Sequence, residues 1–299
     1  MLDISRDMIG YGKKPPHPKW PNAARLAINF VITIEETVER NILHGDSSSE
    51  NYLTELAMRE TMLGQCDLFS ESIFEYGSRC DFWRLLDLFE QHQMNITTWA
   101  SGMALENNPE LVRHLATQGH EIAGHGYRWI DYSQFDPELE REHIDKTLTI
   151  IKRYTGVVPW GWYTGRKSLQ TRQLIQEAGL RYDTESYVGA LPYWQVFNDK
   201  PHLIIPYSSD TNDAKYYLTP GWMSEDDFLN YLIYTVSCLY REGKKSPKMM
   251  TISLNARISD HPARAEVIHR FLAYLADFPD IWICTRQQIA QHWYQYHPY

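Results

Sequence analysis

The sequence predicts an α/β fold on a mainly parallel sheet, open or closed into a barrel, and three observations lead there. Strand-like apolar runs alternate with helical periodicities along the 299 residues, as a sheet with crossover helices requires. The 43% hydrophobic content is enough for a large core. No Ser/Gly/Pro-rich linker, internal repeat or low-complexity stretch divides the pattern. One domain over 26–299 behind an N-terminal arm at 1–25 is therefore more economical than two.

The elements follow in order. In the arm, Pro15-Pro16-His17-Pro18 and Trp20-Pro21 exclude regular helix or sheet. Arg25–Ile34 is β-branched and nearly continuous in apolar character, the pattern of a buried strand, and it ends on Glu35-Glu36. Asp81–Gln93 sets Phe82, Leu85, Leu86 and Phe89 on one helical face, and Ile96–Ala100 resumes as strand. Pro109–Gln118 is helical up to Gly119, and His120–Gly124 is the next strand. Pro137–Tyr154 is a long amphipathic helix with Leu139, His143, Leu148 and Ile151 on one side, followed by a break at 156–159. A helix over Ser168–Ala178 stops at Gly179, and Arg181-Tyr182-Asp183 runs into a strand. His202–Tyr207 and Met249–Leu254 are strands, Asp226–Glu242 and Arg264–Ala276 helices. Trp282–Cys284 is a final strand before a helix at Gln287–Gln295.

Composition narrows the function. A net charge of -9, with no basic run beyond Lys13-Lys14 and Lys244-Lys245, argues against nucleic-acid or anionic-membrane partners and for a small molecule. Cys66, Cys80, Cys238 and Cys284 lie far apart without a CxxC pair, which suggests reduced structural thiols. Neither a leader at the N-terminus nor a spanning apolar window is visible, so a cytoplasmic location is expected. Tyr, Trp and Phe number 20, 10 and 10, and many sit in loop-like sequence such as Gly161-Trp162-Tyr163-Thr164-Gly165 and Leu191-Pro192-Tyr193-Trp194. Such side chains suit pockets and subunit interfaces.

In parallel α/β folds, reacting groups gather where strands end at their carboxyl termini. The polar residues at those ends are Glu35, Glu36, His125, Tyr163, Arg166, Asp183, Asp210, Asp213, Asn255 and Arg257. Gly119–Trp129 looks like half a metal site, because His125 is followed four residues on by Trp129. An indole carries only an N–H donor, so a ligand is missing and no metal is expected.

These blocks resemble, in order, those of the polysaccharide deacetylase superfamily, and more closely its cofactor-independent allantoinase-like branch. The resemblance spans nearly the whole chain: Arg6-Asp7 with Ile9-Gly10-Tyr11-Gly12, Pro15–Pro18, Glu35-Glu36 with Glu39-Arg40, Leu43–Asp46, Glu75–Arg79, His125–Tyr132, Gly161–Arg166, Leu191–Trp194 and Asp210–Asp213. It implies a distorted (β/α) barrel, hydrolysis of a C–N bond in a cyclic ureide, no cofactor, and a homo-oligomer, a tetramer. Glu35 and Glu36 stand where the superfamily has an aspartate pair, and His125 matches its first metal-binding histidine. Two stretches depart from the branch. Asn255, in Leu254-Asn255-Ala256-Arg257, replaces a histidine that serves the superfamily as general acid, and Thr37-Val38 replaces two glycines. An amide cannot exchange a proton near neutral pH.

The expected site follows from both readings. Glu35 or Glu36 is the base, since a carboxylate beside another has a raised pKa, and His125 is the acid or base. Trp129, Trp162, Tyr163, Arg166, Asp183, Asp210, Asn255 and Arg257 form the substrate-binding set. The arginines hold carboxylate or ureide carbonyls, Trp162 and Tyr163 form an apolar wall, and Asn255 orients without carrying a proton. Asp210 and Asp213 lie in a turn-like run, and only the resemblance raises them. The expected function is metal-independent hydrolysis of a cyclic ureide, imide or related amide, with a substrate other than allantoin open. Alternatives are a biosynthetic homologue acting on an amide-bearing intermediate and a catalytically silent small-molecule-binding protein.

Overall fold

The computed structural model describes residues 7–54 and 60–299, without the side chains of residues 80 and 81. Arg6 of the first resemblance block lies outside the described residues. The strands are β1 (Leu26–Ile34), β2 (Thr97–Ala100), β3 (Glu121–Gly124), β4 (Gly161–Trp162), β5 (Tyr182–Asp183), β6 (Tyr193–Phe197), β7 (Lys200–Ile204), β8 (Lys248–Asn255) and β9 (Ile281–Ile283). They form one curled sheet in the order β6-β7-β5-β4-β3-β2-β1-β8, with β9 also paired to β1. Every pairing is parallel except the β6–β7 hairpin.

Among the described residues no strand closes the barrel. The irregular segment after β7 bridges to β8, where Asn212 pairs with Ser253 and the Ser253 amide donates to the Thr211 carbonyl at 3.1 Å. This is the distortion in the expected (β/α) barrel.

Helices cover the outside: α1 (Leu68–Tyr76), α2 (Phe82–Gln91), α3 (Gly102–Asn107), α4 (Pro109–Gln118), α5 (Pro137–Thr155), α6 (Thr171–Glu177), α7 (Glu225–Glu242), α8 (Ala256–Ser259) and α9 (Pro262–Leu275). The last, α10 (Arg286–Tyr296), brings Ile289, Ala290 and Trp293 into the inner core. No helix among the described residues is long and apolar enough to cross a membrane. The sequence shows no clear helical period over α1, where Leu68 and Phe69 are 75% and 57% exposed and blur the apolar stripe.

Strand β1 is buried on both faces, and its period of two decides what the site receives. Leu26, Ile28, Phe30, Ile32 and Ile34 face the outer helices, while Ala27 and Val31 join the inner core. Each such large apolar side chain stabilises by roughly 1.5–3 kcal/mol. The polar positions Asn29 and Thr33 share the parity of Ala27 and Val31. Strand β8 repeats the arrangement, with Met250, Ile252 and Leu254 outward and Met249 inward, on the parity of Thr251, Ser253 and Asn255.

Candidate active site

At the carboxyl ends of β1, β3 and β8 a cavity of about 230 Å³ opens, lined by Glu35, His125, Tyr163, Arg166, Asn255 and Lys215 among others. Glu35 continues the inward parity of Asn29 and Thr33. Glu36 therefore turns the other way, into a small apolar recess with Ile34, Gly77 and Phe82. Gly77 is needed there, because a Cβ would sit 2.6 Å from Glu36 Cγ. The sequence pairs the two glutamates, and the structure puts only Glu35 on the cavity wall.

One buried cation organises the carboxyls. Arg257, 0% exposed, lies with its guanidinium 4.7 Å from the Phe74 ring centre and 5.0 Å from that of Trp129. Its Nη1 donates to Glu35 Oε1 at 2.6 Å and lies 3.6 Å from Glu36 Oε1. The rise expected of the base is not found at Glu35: burial alone would raise its carboxyl, but Arg257 and a hydrogen bond from His125 outweigh it and hold it down at about 2. Burial prevails at Glu36, where Arg257 is farther away and Glu35 repels, and the carboxyl rises to about 7. Burial also lifts Glu39 to about 8.

His125 is fixed at both nitrogens. Nδ1 faces the Tyr163 carbonyl, which can only accept, so Nδ1 carries a hydrogen. Nε2 lies 3.1 Å from Glu35 Oε2. The imidazole stacks on the Tyr163 ring with centres 5.4 Å apart.

Across the cavity, Thr33 Oγ1 donates to Asn255 Oδ1 at 2.8 Å, joining two residues that are register partners in β1 and β8. The Asn255 backbone amide and Nδ2 both donate to Asp213, at 2.6 and 2.7 Å, and Ser259 Oγ adds a third bond at 2.7 Å. Burial still raises Asp213 to about 6. Arg166 stacks over Trp129 at 4.1 Å and Tyr52 at 4.8 Å, and its Nη1 reaches Glu50 Oε2 at 2.8 Å. Arg40 shares that carboxylate.

Four expected binding residues do not line the cavity: Arg257 is buried on the far side of Glu35, so it holds that carboxylate and not a substrate carbonyl, and three others lie elsewhere. Trp162 packs outside the sheet with Ile144, Leu148 and Leu174, its indole N–H donating to Thr164 Oγ1 at 2.8 Å. Asp183 is locked by Arg172 at 2.7 Å and His202 at 3.2 Å, and although burial would raise it, these partners hold it at about 2. Asp210 accepts from the Tyr231 hydroxyl at 3.0 Å. In exchange the structure adds Thr33, Tyr207, Ser253 and Lys215 to the lining. The inward parity of Thr33 and Ser253 was the signal that could have found those two.

The raised carboxyls set a stability trend. A carboxyl that ionises near 4.5 when unfolded but at about 7 or 8 when folded favours the fold fully below the first value. That contribution is lost as pH rises through the second. Calorimetric Tm is expected to fall by several degrees between pH 5 and 8, on the order of 2–4 kcal/mol. Glu39→Gln should flatten part of that slope, whereas an unchanged slope would mean that Glu39 is not neutral in the fold.

Fold and cleft together define a distorted (β/α)-barrel protein with a site at the strand ends. The polysaccharide deacetylase family profile matches residues 71–182. A Schizosaccharomyces pombe protein named "Putative polysaccharide deacetylase" is 38% identical over 322 residues, spanning 99% of this chain and 98% of that one. The crystal structure of PuuE allantoinase superposes with a TM-score of 0.96 at 44% identity, covering 100% of both chains. A Clostridium thermocellum family 4 acetyl xylan esterase, in complex with a cobalt ion, shares the fold at a TM-score of 0.50 and 11% identity, over 89% of this chain and 90% of that one. The chain belongs to the polysaccharide deacetylase family.

Proposed function

We propose that this protein is a metal-independent hydrolase of a C–N bond in a cyclic ureide, imide or related amide. The observation that carries the reading is the Glu35–His125 pair on the cavity wall with the Arg257 guanidinium seated on Glu35. The residues present do not fit a divalent ion. Trp129 supplies no lone pair, His125 Nε2 already faces Glu35, and a fixed cation neutralises that carboxylate. No group of three or more His, Cys, Asp or Glu suited to a metal occurs among the described residues. The cavity, at about 230 Å³, lies below the ~300–1,000 Å³ of sites for drug-sized ligands, which suits one ring better than a polymer.

In the proposed reaction, water attacks the ring carbonyl carbon and Glu35 takes its proton. Because Arg257 keeps Glu35 ionised, the proton shared with His125 rests on Nε2, where it can be delivered to the departing nitrogen. The C–N bond breaks, leaving a carboxylic acid and, on the departing nitrogen, a urea or a carboxamide. The Asn255 amide keeps one Nδ2 hydrogen beyond its bond to Asp213, a donor for the developing oxyanion. The apolar wall is Trp129 with Tyr163.

A panel of allantoin, hydantoin, dihydrouracil, succinimide and acetylated sugars, with and without chelator, tests this. Turnover of a ring amide that survives chelation is expected. Chelator-sensitive turnover, or turnover of acetylated sugars alone, overturns the reading. Asn255→His should raise ring hydrolysis by about tenfold or more, since it sets an imidazole against Asp213 where the protein has an amide.

A second reading rests on Asn255 itself. Held by Asp213 and Thr33, it offers binding without proton transfer, which suits a homologue acting on an amide-bearing intermediate or a silent binding protein. A protein that binds ring amides but turns over none supports it.

A further inference from the structure

We infer that the substrate of this site carries a carboxylate in addition to its ring amide, and that Lys215 reads it, with Arg166 as the second cation. The inference rests on the proposed ring-amide hydrolysis and deepens it.

The charge of the cavity runs against that of the molecule. The chain carries a net charge of -9, yet Glu35 is the one carboxylate lining the cavity among the described residues. The charge of that carboxylate is already answered by Arg257 and His125. Apart from His125, which is paired with Glu35, the lining brings two cations, Arg166 and Lys215. Arg166 spends Nη1 on Glu50, but Glu50 is shared with Arg40, so the trio keeps one positive charge. Lys215 has no ion-pair partner among the described residues, and its ammonium lies 5.2 Å from the Trp222 ring centre. Two residues before it, Asp213 is occupied by three hydrogen bonds within the wall. An uncompensated ammonium on a half-buried wall favours an anion. A neutral ring would leave it only the face of Trp222. Asn212 and Ser209 line the same cavity, and the Asn212 amide N–H and the Ser209 hydroxyl are further donors there.

The product of ring opening is itself a carboxylate, but it forms on the carbon attacked beside Glu35 and His125. Lys215 belongs to another part of the wall, the segment that closes the barrel, and needs a separate anionic group.

Matched pairs test this. Dihydrouracil is compared with its ring-carboxylated counterpart dihydroorotate, and hydantoin with hydantoin-5-acetate, for kcat/KM in the wild type, Lys215→Met and Lys215→Arg. The carboxylated member is expected to be favoured by about 10–100-fold, the range of a hydrogen bond to a charged group. Lys215→Met should bring that ratio near one, and Lys215→Arg should keep most of it. Equal or better turnover of the neutral members by the wild type overturns the inference while leaving ring hydrolysis intact, as does a ratio unmoved by Lys215→Met. If no ring is turned over, the hydrolase reading fails and calorimetric binding of the same pairs decides: tighter binding of the carboxylated member, lost in Lys215→Met, supports the inference, and equal binding overturns it.

Discussion

Replacing His125 by Asn is expected to lower kcat for ring opening by about 10²–10⁴-fold, the usual contribution of a placed acid or base, while Tm moves by only a few degrees. The asymmetry comes from the two ring nitrogens. Nδ1 serves the fold, donating to the Tyr163 carbonyl, and a shorter amide at 125 can still donate there. Nε2 serves the reaction, because it faces Glu35 Oε2 at 3.1 Å and holds the exchangeable proton. Asn has no atom at that position. Glu35 stays paired with Arg257, so no buried charge is stranded and stability is largely kept. Loss of the stacked Tyr163 contact accounts for the small change in Tm. The KM should change less than kcat, since the amide leaving group gains its proton only in the transition state. A kcat within tenfold of wild type, with the fold intact, removes His125 from the chemistry.

Much of this architecture was legible because parallel sheets advertise themselves. The run over 26–34 is apolar and β-branched on both faces, and it could be placed before any contact was known. The β6–β7 hairpin was missed although Asn198-Asp199 marks its turn, both residues having φ above 0 as a tight hairpin requires. Its aromatic strand looked like loop sequence because Pro192 precedes it. The site divided along similar lines. Strand ends point to the correct edge of the sheet but not to which face a side chain takes. That is why Glu35 and His125 meet in the cavity while Glu36 and Trp162 turn to the helices and Asp183 is spent on Arg172 and His202. Lys215 could not be found at all, because the segment that closes the barrel is irregular and has no period to read.

Arg257→Met is expected to be the most destabilising single change, by about 3–5 kcal/mol near neutral pH, the usual result of removing one partner from a buried ion pair. Methionine fills the space between Phe74 and Trp129, so the cost is electrostatic more than steric. The pH dependence identifies the cause. With Arg257 present, Glu35 ionises at about 2 against 4.5 unfolded, so its contribution to stability is present above 4.5 and lost on acidification. Without the guanidinium, burial dominates and the folded pKa rises above the unfolded one. Its sign is then reversed: the folded variant is favoured below 4.5 and penalised as pH rises. The stability gap between wild type and variant should therefore widen from pH 5 to 8 in denaturant titrations. Any residual activity should acquire an acidic limb near or above the ordinary carboxylate range, where a protonated Glu35 cannot accept from water. Adding Glu35→Gln to Arg257→Met should recover most of the lost stability without restoring turnover, because the stranded charge is gone and so is the base. A double variant no more stable than Arg257→Met alone would show that Arg257 supports the fold through packing, and that Glu35 owes its ionisation to another group.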